Sequence, residues 1–243
     1  MNILRMDTVD STNEEIKRLA LAGAQGELAV TAREQTAGKG RLGRSWLSSR
    51  DMGLYVSLLI EPVYAENGTL ALAAGLAVAD TIEAALPVSV QVKWPNDILI
   101  HEKKVCGILA ETFRARERLC AALGAGVNLY QREFPPELAG KATSLAAESS
   151  KPIYQEQVER ALLAALVAAI AMWQREGFSP FLGGYREKCC TLGRDVTLHG
   201  QCDRQALALD VTEEGMLLVR LASGGLETVT AGEVSLQGYG AHE

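Results

Sequence analysis

The sequence has few of the residues that bind transition metals or form disulfides. Its 243 residues include only three histidines, which argues against a zinc site. The five cysteines are an odd number, and no two of them have C-x-x-C spacing. Such cysteines are typical of reduced, mostly buried thiols, so we expect a cytoplasmic protein rather than a secreted one.

The chain also lacks long hydrophobic runs and an excess of positive charge. Its longest apolar run, Ala161 to Trp173, is shorter than the roughly 20 residues that cross a bilayer. Met1 to Asp10 has no apolar segment of the kind found in signal peptides. A formal net charge of −6 argues against a general nucleic-acid-binding protein. With 48% hydrophobic residues, the chain can form one large domain, or one large and one small domain.

The most distinctive stretch is QTAGKGRLGRSW, here called the glycine loop (Gln35–Trp46). Its glycines let backbone amides approach an anion, and its cations add charged donors. The spacing fits G-x-G-x-x-G, but a turn and a strand follow it where a dinucleotide site requires a helix. We therefore predict a loop that closes over a phosphate or carboxylate, with a solvated basic turn as the alternative. The glycines and cations within it are Gly38, Lys39, Gly40, Arg41, Gly43 and Arg44.

Two further stretches place polar side chains at the ends of predicted elements. Ser11 and Thr12 begin a predicted helix and fit a capping box with Glu14 and Glu15, three residues later. The run KWPND, residues 93–97, joins two predicted strands, because a residue before proline is extended and Asn-Asp is typical of turns. Taken alone, the first stretch is a helix cap and the second is a polar hairpin.

From about residue 190 the pattern changes to short alternating segments separated by glycines. This spacing is typical of a small antiparallel barrel of about 50 residues. We therefore predict two domains, at residues 1–189 and 190–243.

Four motifs, in this order, resemble the biotin protein ligase family. The resemblance covers nearly the whole chain, and the ending Gly232-Glu233-Val234-Ser235-Leu236 is also similar to the family's. The first and last motifs are weak individually, whereas the middle two and the order of the set are specific. The four are Asp10-Ser11-Thr12-Asn13, the glycine loop, Lys93-Trp94-Pro95-Asn96-Asp97 with Lys104-x-x-Gly107-Ile108-Leu109-x-Glu111, and Gly124-x-Gly126-x-Asn128.

The resemblance implies an α+β fold. The catalytic domain would be a mixed β-sheet flanked by helices, similar to class II aminoacyl-tRNA synthetases, and a small C-terminal SH3-like β-barrel would follow it. Family members that also repress transcription carry an N-terminal helix-turn-helix domain. Because Ser11 already belongs to the catalytic motifs, we expect the monofunctional form, which does not bind DNA.

The resemblance also implies the family's reaction. Biotin and ATP, with Mg²⁺ as the ion, give biotinyl-5′-AMP and pyrophosphate. The biotinyl group then passes to a lysine of the biotin carboxyl carrier protein of acetyl-CoA carboxylase. No membrane partner is expected, and the protein would be a monomer or a homodimer.

Roles for individual residues follow from the same resemblance. The catalytic residues would be Lys104, Arg41 and Asp97. Biotin contacts would come from Ser11, Thr12, Asn13, Gln35, Gly38, Lys39, Arg41, Trp46, Lys104 and Gly107. Nucleotide contacts would come from Arg41, Arg44, Asn96, Lys104 and Asn128.

Within these sets, the chemistry suggests a division of labour. Arg41 and Lys104 would neutralise the carboxylate of biotin and the α-phosphate, and Arg44 would hold the distal phosphates. Asp97 would either coordinate Mg²⁺ or orient the acceptor amine, and the sequence leaves both open. Trp46 and Leu109 would form an apolar sleeve for the valeryl chain.

Lys39 departs from the family pattern, where arginine is common at this position. Lysine lacks the planar, bidentate donor set of arginine, so the contact made here is altered. Two other functions remain open: a lipoate or octanoate ligase of related fold, and a non-enzymatic, biotin-responsive binding module. Neither is expected to combine the KWPND motif with Lys104 and Arg41.

Overall fold

The computed structural model describes residues 1–63, 68–200, 202–230 and 233–236, so Gly232 and the end of the predicted C-terminal domain lie outside it. Among the described residues, one compact unit draws on Met1–Glu66 and Lys104–Leu163, and a second on Asn67–Lys103 and Ala164–Glu243. The strands are β1 Asn2–Met6, β2 Leu28–Ala32, β3 Gly53–Ile60, β4 Gln91–Lys93, β5 Asp97–Ile100, β6 Lys103–Ala115, β7 Arg118–Asn128, β8 Asp195–His199, β9 Arg204–Val211, β10 Leu217–Leu221, β11 Leu226–Val229 and β12 Glu233–Leu236. The α-helices are α1 Thr12–Leu21, α2 Thr69–Ala85, α3 Leu145–Glu148, α4 Gln155–Glu176 and α5 Ser179–Lys188.

In the first unit, five strands lie side by side in the order β1-β2-β3-β7-β6. β1 and β2 are parallel, and the other neighbours are antiparallel, which gives the predicted mixed sheet. Helix α1 packs on β2, β3 and β7. Its fully buried residues Ile16 and Ala20 meet Val30, Leu59 and Ala122 in an apolar core. The helix therefore covers one end of a sheet face and leaves the rest of that face for other groups.

The capping box predicted for α1 is wrong. Ser11 is the N-cap residue, but its side chain makes no capping hydrogen bond. The amide of Ser11 donates to Asp10 Oδ1 at 2.7 Å, and that of Thr12 donates to Gln35 Oε1 at 2.8 Å. Because a side chain from the glycine loop meets the first helical amide, Thr12 is tied to that loop rather than to its own helix.

In the second unit, β4 and β5 form an antiparallel hairpin on which α2 packs, and α5 packs on α2. The C-terminal segment forms a five-stranded antiparallel sheet in the order β11-β10-β9-β8-β12, so the predicted small antiparallel SH3-like structure is confirmed. Trp94, only 2% exposed, donates from its indole N–H to the Gly215 carbonyl at 3.0 Å. Throughout the described ranges, no helix has the length and hydropathy needed to cross a membrane.

Candidate active site

The floor of the candidate site is a strip of sheet without side chains, here called the glycine patch (Gly107, Gly124 and Gly126). Gly107 and Gly126 are direct partners across β6 and β7, and Gly124 lies two residues from Gly126 on the same face. A Cβ at Gly124 would lie 2.5 Å from Asn13 Oδ1, and one at Gly107 would lie 3.1 Å from the Trp46 ring. A Cβ at Gly126 would overlap the indole nitrogen of Trp46. Side chains are absent at these three positions because Asn13, Trp46 and Lys104 lie directly against the backbone there.

The glycine loop folds as a short hairpin above this patch. Lys39 and Ser45 form a β-bridge, Trp46 N donates to Gly38 O at 2.9 Å, and Gly40 N donates to Arg44 O at 2.7 Å. At Gly38, a Cβ would lie 2.6 Å from both Ser48 Oγ and Trp46 O, so the need for glycine there is close approach.

The tip of the hairpin is a short 3-10 turn over Arg41–Gly43. Both Leu42 (φ 56°) and Gly43 (φ 74°) take left-handed conformations there. Arg41 is half-buried and Arg44 is exposed. The structure thus carries both predicted arginines on the tip of the loop.

Trp46 lies on the glycine patch and brings three predicted residues together. Lys104 Nζ is 5.1 Å from the centroid of the indole ring, and Gly107 lies beneath both side chains. The indole N–H is buried and has no hydrogen-bond partner within the part of the chain that the structure describes. A buried donor of this kind fits an acceptor atom on a ligand.

A group of polar side chains, here called the polar cluster (Thr12, Asn13, Gln35, Ser48 and Ser57), lies beside the patch, and all of its members except the half-buried Gln35 are buried. Gln35 accepts from the amide of Thr12 at 2.8 Å and from its hydroxyl at 3.1 Å, and donates to Ser48 Oγ at 2.7 Å. The Ser57 hydroxyl lies 2.7 Å from Thr12 Oγ1 and 2.6 Å from Asn13 Oδ1. The cluster can offer hydroxyl and amide groups to a polar ring, and the predicted Ser11 is buried next to it.

Three members of this arrangement, Ser48, Ser57 and Glu111, were not among the predicted site residues. Ser57 is fully buried and pairs with Gly124 across β3 and β7. Its signal is that it is the one serine in β3, whose other residues are glycine, tyrosine and aliphatic residues, and the alternation pattern alone does not single it out. Glu111 accepts from Asn13 Nδ2 at 2.8 Å, although it was quoted only as part of a motif.

Lys104 and Asn128 are joined through the segment 141–143. Lys104 N donates to Lys141 O at 2.8 Å, and Thr143 N donates to Lys104 O at 2.9 Å. Asn128 Nδ2 donates to Thr143 O at 2.9 Å. The start of β6 and the end of β7 are thereby held by one strand-like segment. As a nucleotide contact, Asn128 stays a prediction.

Asn96 and Asp97 lie in the second unit: Asn96 is in the turn between β4 and β5, and Asp97 is the first residue of β5. Asp97 is opposite Lys93 in that hairpin. Across the described ranges, no group of three or more His, Cys, Asp or Glu side chains is arranged to hold a metal ion. Any role of Asp97 with Mg²⁺ would therefore need other ligands, such as phosphate oxygens.

The model of the biotin/lipoate A/B protein ligase family matches residues 6–128, and that of the biotin protein ligase C terminal domain matches residues 191–237. The biotin–[acetyl-CoA-carboxylase] ligase of Mycobacterium tuberculosis is 34% identical over 92% of this chain and 85% of that protein. The bifunctional ligase/repressor BirA of Bacillus subtilis is 31% identical over 97% of this chain and 74% of its own length.

Comparison with solved structures also finds a biotin protein ligase. The biotin protein ligase of Aquifex aeolicus in complex with biotin and ATP superposes with a TM-score of 0.85 at 33% identity, covering 97% of this chain and 98% of that one. The motifs, the mixed sheet and the C-terminal antiparallel sheet therefore agree with sequence and structural relatives over nearly the whole chain. The chain belongs to the biotin/lipoate A/B protein ligase family.

Proposed function

We propose that this protein is an ATP-dependent biotin–protein ligase. It forms biotinyl-5′-AMP and transfers biotin to a lysine of the biotin carboxyl carrier protein of acetyl-CoA carboxylase. The observation that carries the proposal is the glycine patch covered by Trp46, with Lys104 beside the ring and the polar cluster next to it. The names of its relatives, which include a biotin–[acetyl-CoA-carboxylase] ligase from Paracoccus denitrificans at 31% identity, support the same activity.

The arrangement suits an acid with a polar head and an apolar chain. The polar cluster supplies hydroxyl and amide groups for the ureido ring, and the Thr12 hydroxyl already donates to Gln35 Oε1. The bare backbone of the glycine patch and the face of Trp46 supply an apolar slot for the valeryl chain. Lys104 then lies at the end of that slot, where the carboxylate would be.

In the first step, a carboxylate oxygen of biotin attacks the α-phosphorus of ATP, and pyrophosphate leaves. Both reactants are anions, so most of the rate can come from positioning them and neutralising their charge. In this proposal Lys104 and Arg41 neutralise the carboxylate and the α-phosphate, while Arg44 and Asn128 contact the nucleotide. In the second step, the amine of the carrier lysine attacks the acyl carbon, and AMP leaves.

Mg²⁺ belongs to the proposal as an ion that arrives with ATP. Magnesium sites are commonly built from one or two carboxylates together with substrate phosphates, and Asp97 is the candidate carboxylate, with Asn96 next to it. Asp97 also remains the candidate for orienting the acceptor amine. A cytoplasmic location fits the free cysteines Cys106, Cys120, Cys189, Cys190 and Cys202.

The test is single-turnover acyl-adenylate formation from ATP with biotin, lipoate or octanoate, followed by transfer to a purified carrier domain. We expect adenylate with biotin alone, and its discharge onto the carrier lysine. Adenylate with lipoate or octanoate instead would assign the site to a different acid. Biotin binding without pyrophosphate release would mean that the protein is a binding module and not an enzyme.

A further inference from the structure

A chain of ionic contacts leads from the glycine loop to the glycine patch. Lys39 Nζ lies 2.7 Å from Glu14 Oε1, and the same oxygen lies 2.9 Å from Lys17 Nζ. Lys17 Nζ also lies 2.9 Å from Glu111 Oε1, and the other oxygen of Glu111 accepts from Asn13 Nδ2 at 2.8 Å. Positive and negative side chains alternate along this series of contacts. The series ends at Asn13, whose side chain lies on Gly124 of the glycine patch.

Of these residues, only Lys39 belongs to the glycine loop, which covers the acid in the proposed function. Lys39 lies between the root of the loop, where Trp46 and Gly38 are hydrogen-bonded, and the tip at Arg41–Gly43. Glu14 lies in the first turn of α1, whose inner residues are packed in the core. The ion pair therefore ties a surface hairpin to a fixed helix.

We propose that Glu14 is a positioning residue that holds the glycine loop over the site through Lys39 and thereby sets how tightly the acid is retained. This inference rests on the proposed function in one respect, namely that the loop covers the acid. It concerns a contact of this chain's own lysine, at a position where the family commonly has arginine.

The surroundings of Glu14 make its carboxylate a fixed anchor. Two ammonium groups, those of Lys39 and Lys17, lie against the same oxygen of Glu14. Because Lys17 belongs to the same helix as Glu14, it orders the carboxylate independently of the loop. The hydrogen bond from Lys39 and then that from Lys17 lower the pKa of Glu14, so it is ionised at neutral pH. Lysine suits this contact because a compact ammonium can pair with a single carboxylate oxygen without a planar partner.

The first experiment compares steady-state kinetics of Glu14→Gln with those of Glu15→Gln. Glu15 is on the same helix and pairs with Arg18 at 2.7 Å, away from the loop, so it is a matched control. A partly exposed ion pair is worth a factor of about two to five in an equilibrium. We expect Glu14→Gln to raise KM for biotin by about two- to fivefold with kcat near that of the parent, and Glu15→Gln to leave both unchanged.

A double-mutant cycle with Lys39→Gln isolates the pair. If Glu14 acts through Lys39, adding Glu14→Gln to Lys39→Gln has no further effect on KM. Additive effects of the two substitutions, or an equal effect of Glu15→Gln, would overturn the proposal.

The second experiment needs no ligation activity. Trypsin cleaves after lysine and arginine, so cuts after Arg41 and Arg44 report opening of the loop in the folded protein. We expect Glu14→Gln to be cut about two- to fivefold faster than the parent without any substrate, and Lys39→Arg, which keeps a cation, to be cut at the parent's rate. Equal cleavage of Glu14→Gln and parent would refute the positioning role. Faster cleavage of Glu14→Gln in a protein that makes no biotinyl-adenylate would overturn the proposed function and leave the ion pair's role standing.

Discussion

At the scale of single residues, Trp46 makes contacts beyond those of the apolar wall that the sequence predicts. Its ring covers the backbone of Gly126 and Gly107, and the ammonium of Lys104 lies 5.1 Å from the centroid of the ring. A cation near an indole is attracted by about 0.5–1 kcal/mol at an exposed site. This is weak enough for a substrate carboxylate to draw Lys104 away. The contact thus holds the lysine beside the ring, where the proposed function puts the carboxylate of the acid.

Lys104→Ala tests the catalytic role of that lysine. Removing one preorganised donor at a developing charge typically lowers the rate by roughly 10²–10³. We expect a loss of this size in biotinyl-adenylate formation, measured in a single turnover, with unchanged thermal unfolding. Lys103→Ala, the neighbouring exposed lysine, is the control and should keep the parent's rate. Near-normal adenylate formation in a folded Lys104→Ala protein would contradict the role.

Gly126→Ala tests the glycine patch. The added Cβ would overlap the indole of Trp46, whose neighbours Ser48 and Gly38 hold the adjacent backbone, so the ring must move off the sheet. We expect at least tenfold weaker biotin binding by calorimetry, equivalent to about 1.4 kcal/mol, and a shifted tryptophan fluorescence maximum.

The control for this change is Gly183→Ala, where a Cβ meets nothing within 4 Å. Gly183 is in α5, and alanine in a helix is more favourable than glycine by roughly 1 kcal/mol, so this variant should bind biotin normally and unfold at the same or a higher temperature. Normal biotin binding by Gly126→Ala would mean that the ring does not need the bare backbone.

At the scale of elements, the start of α1 shows why the capping prediction failed. The Asp10 carboxylate accepts hydrogen bonds from both terminal nitrogens of Arg18, at 2.6 and 2.9 Å, and another from the amide of Ser11. Gln35 then takes the amide of Thr12. Because partners outside the helix satisfy these donors, the side chains of the Ser-Thr-Asn motif face the sheet.

Acid titration tests this anchoring of α1. The hydrogen bond from Arg18, first among several causes, lowers the pKa of Asp10 from 3.8 to about 2. A lowered folded-state pKa gives stability that is complete above the unfolded value and is lost as the pH falls through the folded one. Since the side chain of Asp10 is nearly half exposed, we expect a contribution of less than about 1 kcal/mol.

Urea unfolding at several pH values would measure it. Asp10→Asn should be less stable than the parent at pH 6, and the difference should shrink between about pH 4 and pH 2. A difference that is independent of pH would mean that the ionised carboxylate is not the stabilising group.

At the scale of the whole molecule, the domain boundary at residue 190 stays a prediction. Contacts within the second unit indicate whether domains divided there would unfold separately or together. Within that unit, Trp94 N donates to Thr191 Oγ1 at 3.0 Å, and the Trp94 indole donates to Gly215 O. Cys190 N also donates to Val92 O at 2.9 Å. The C-terminal sheet therefore buries the tryptophan of the KWPND motif, so we expect the two predicted domains to unfold together.

Truncation tests this. A chain that ends at residue 189 exposes Trp94, whose burial is worth about 2 kcal/mol or more. Thermal unfolding should then occur about 4–8 °C lower than in the full chain. Equal unfolding temperatures for the 189-residue chain and the full chain would show that the C-terminal domain is independent.

The small C-terminal sheet and the family could be predicted from the order of residues alone. Alternation and glycine spacing indicated the antiparallel strands beyond residue 190, and the ordered motifs identified the ligase family before any geometry was known. These features depend on residues near one another in the chain, so a single sequence displays them. The identities of most polar cluster members were also available, because Thr12, Asn13 and Gln35 lie within the motifs.

Which of these side chains meet depends on how the chain folds in space. Ser57 comes between Thr12 and Asn13 from more than 40 positions away, and Lys39 pairs with Glu14 across 25 positions. Hydrogen bonds and ion pairs act over about 3 Å, so they depend on how the sheet, helix and loop are placed in space. Periodicity fixes which face of a strand or helix is buried, and the packing of those faces fixes the partners.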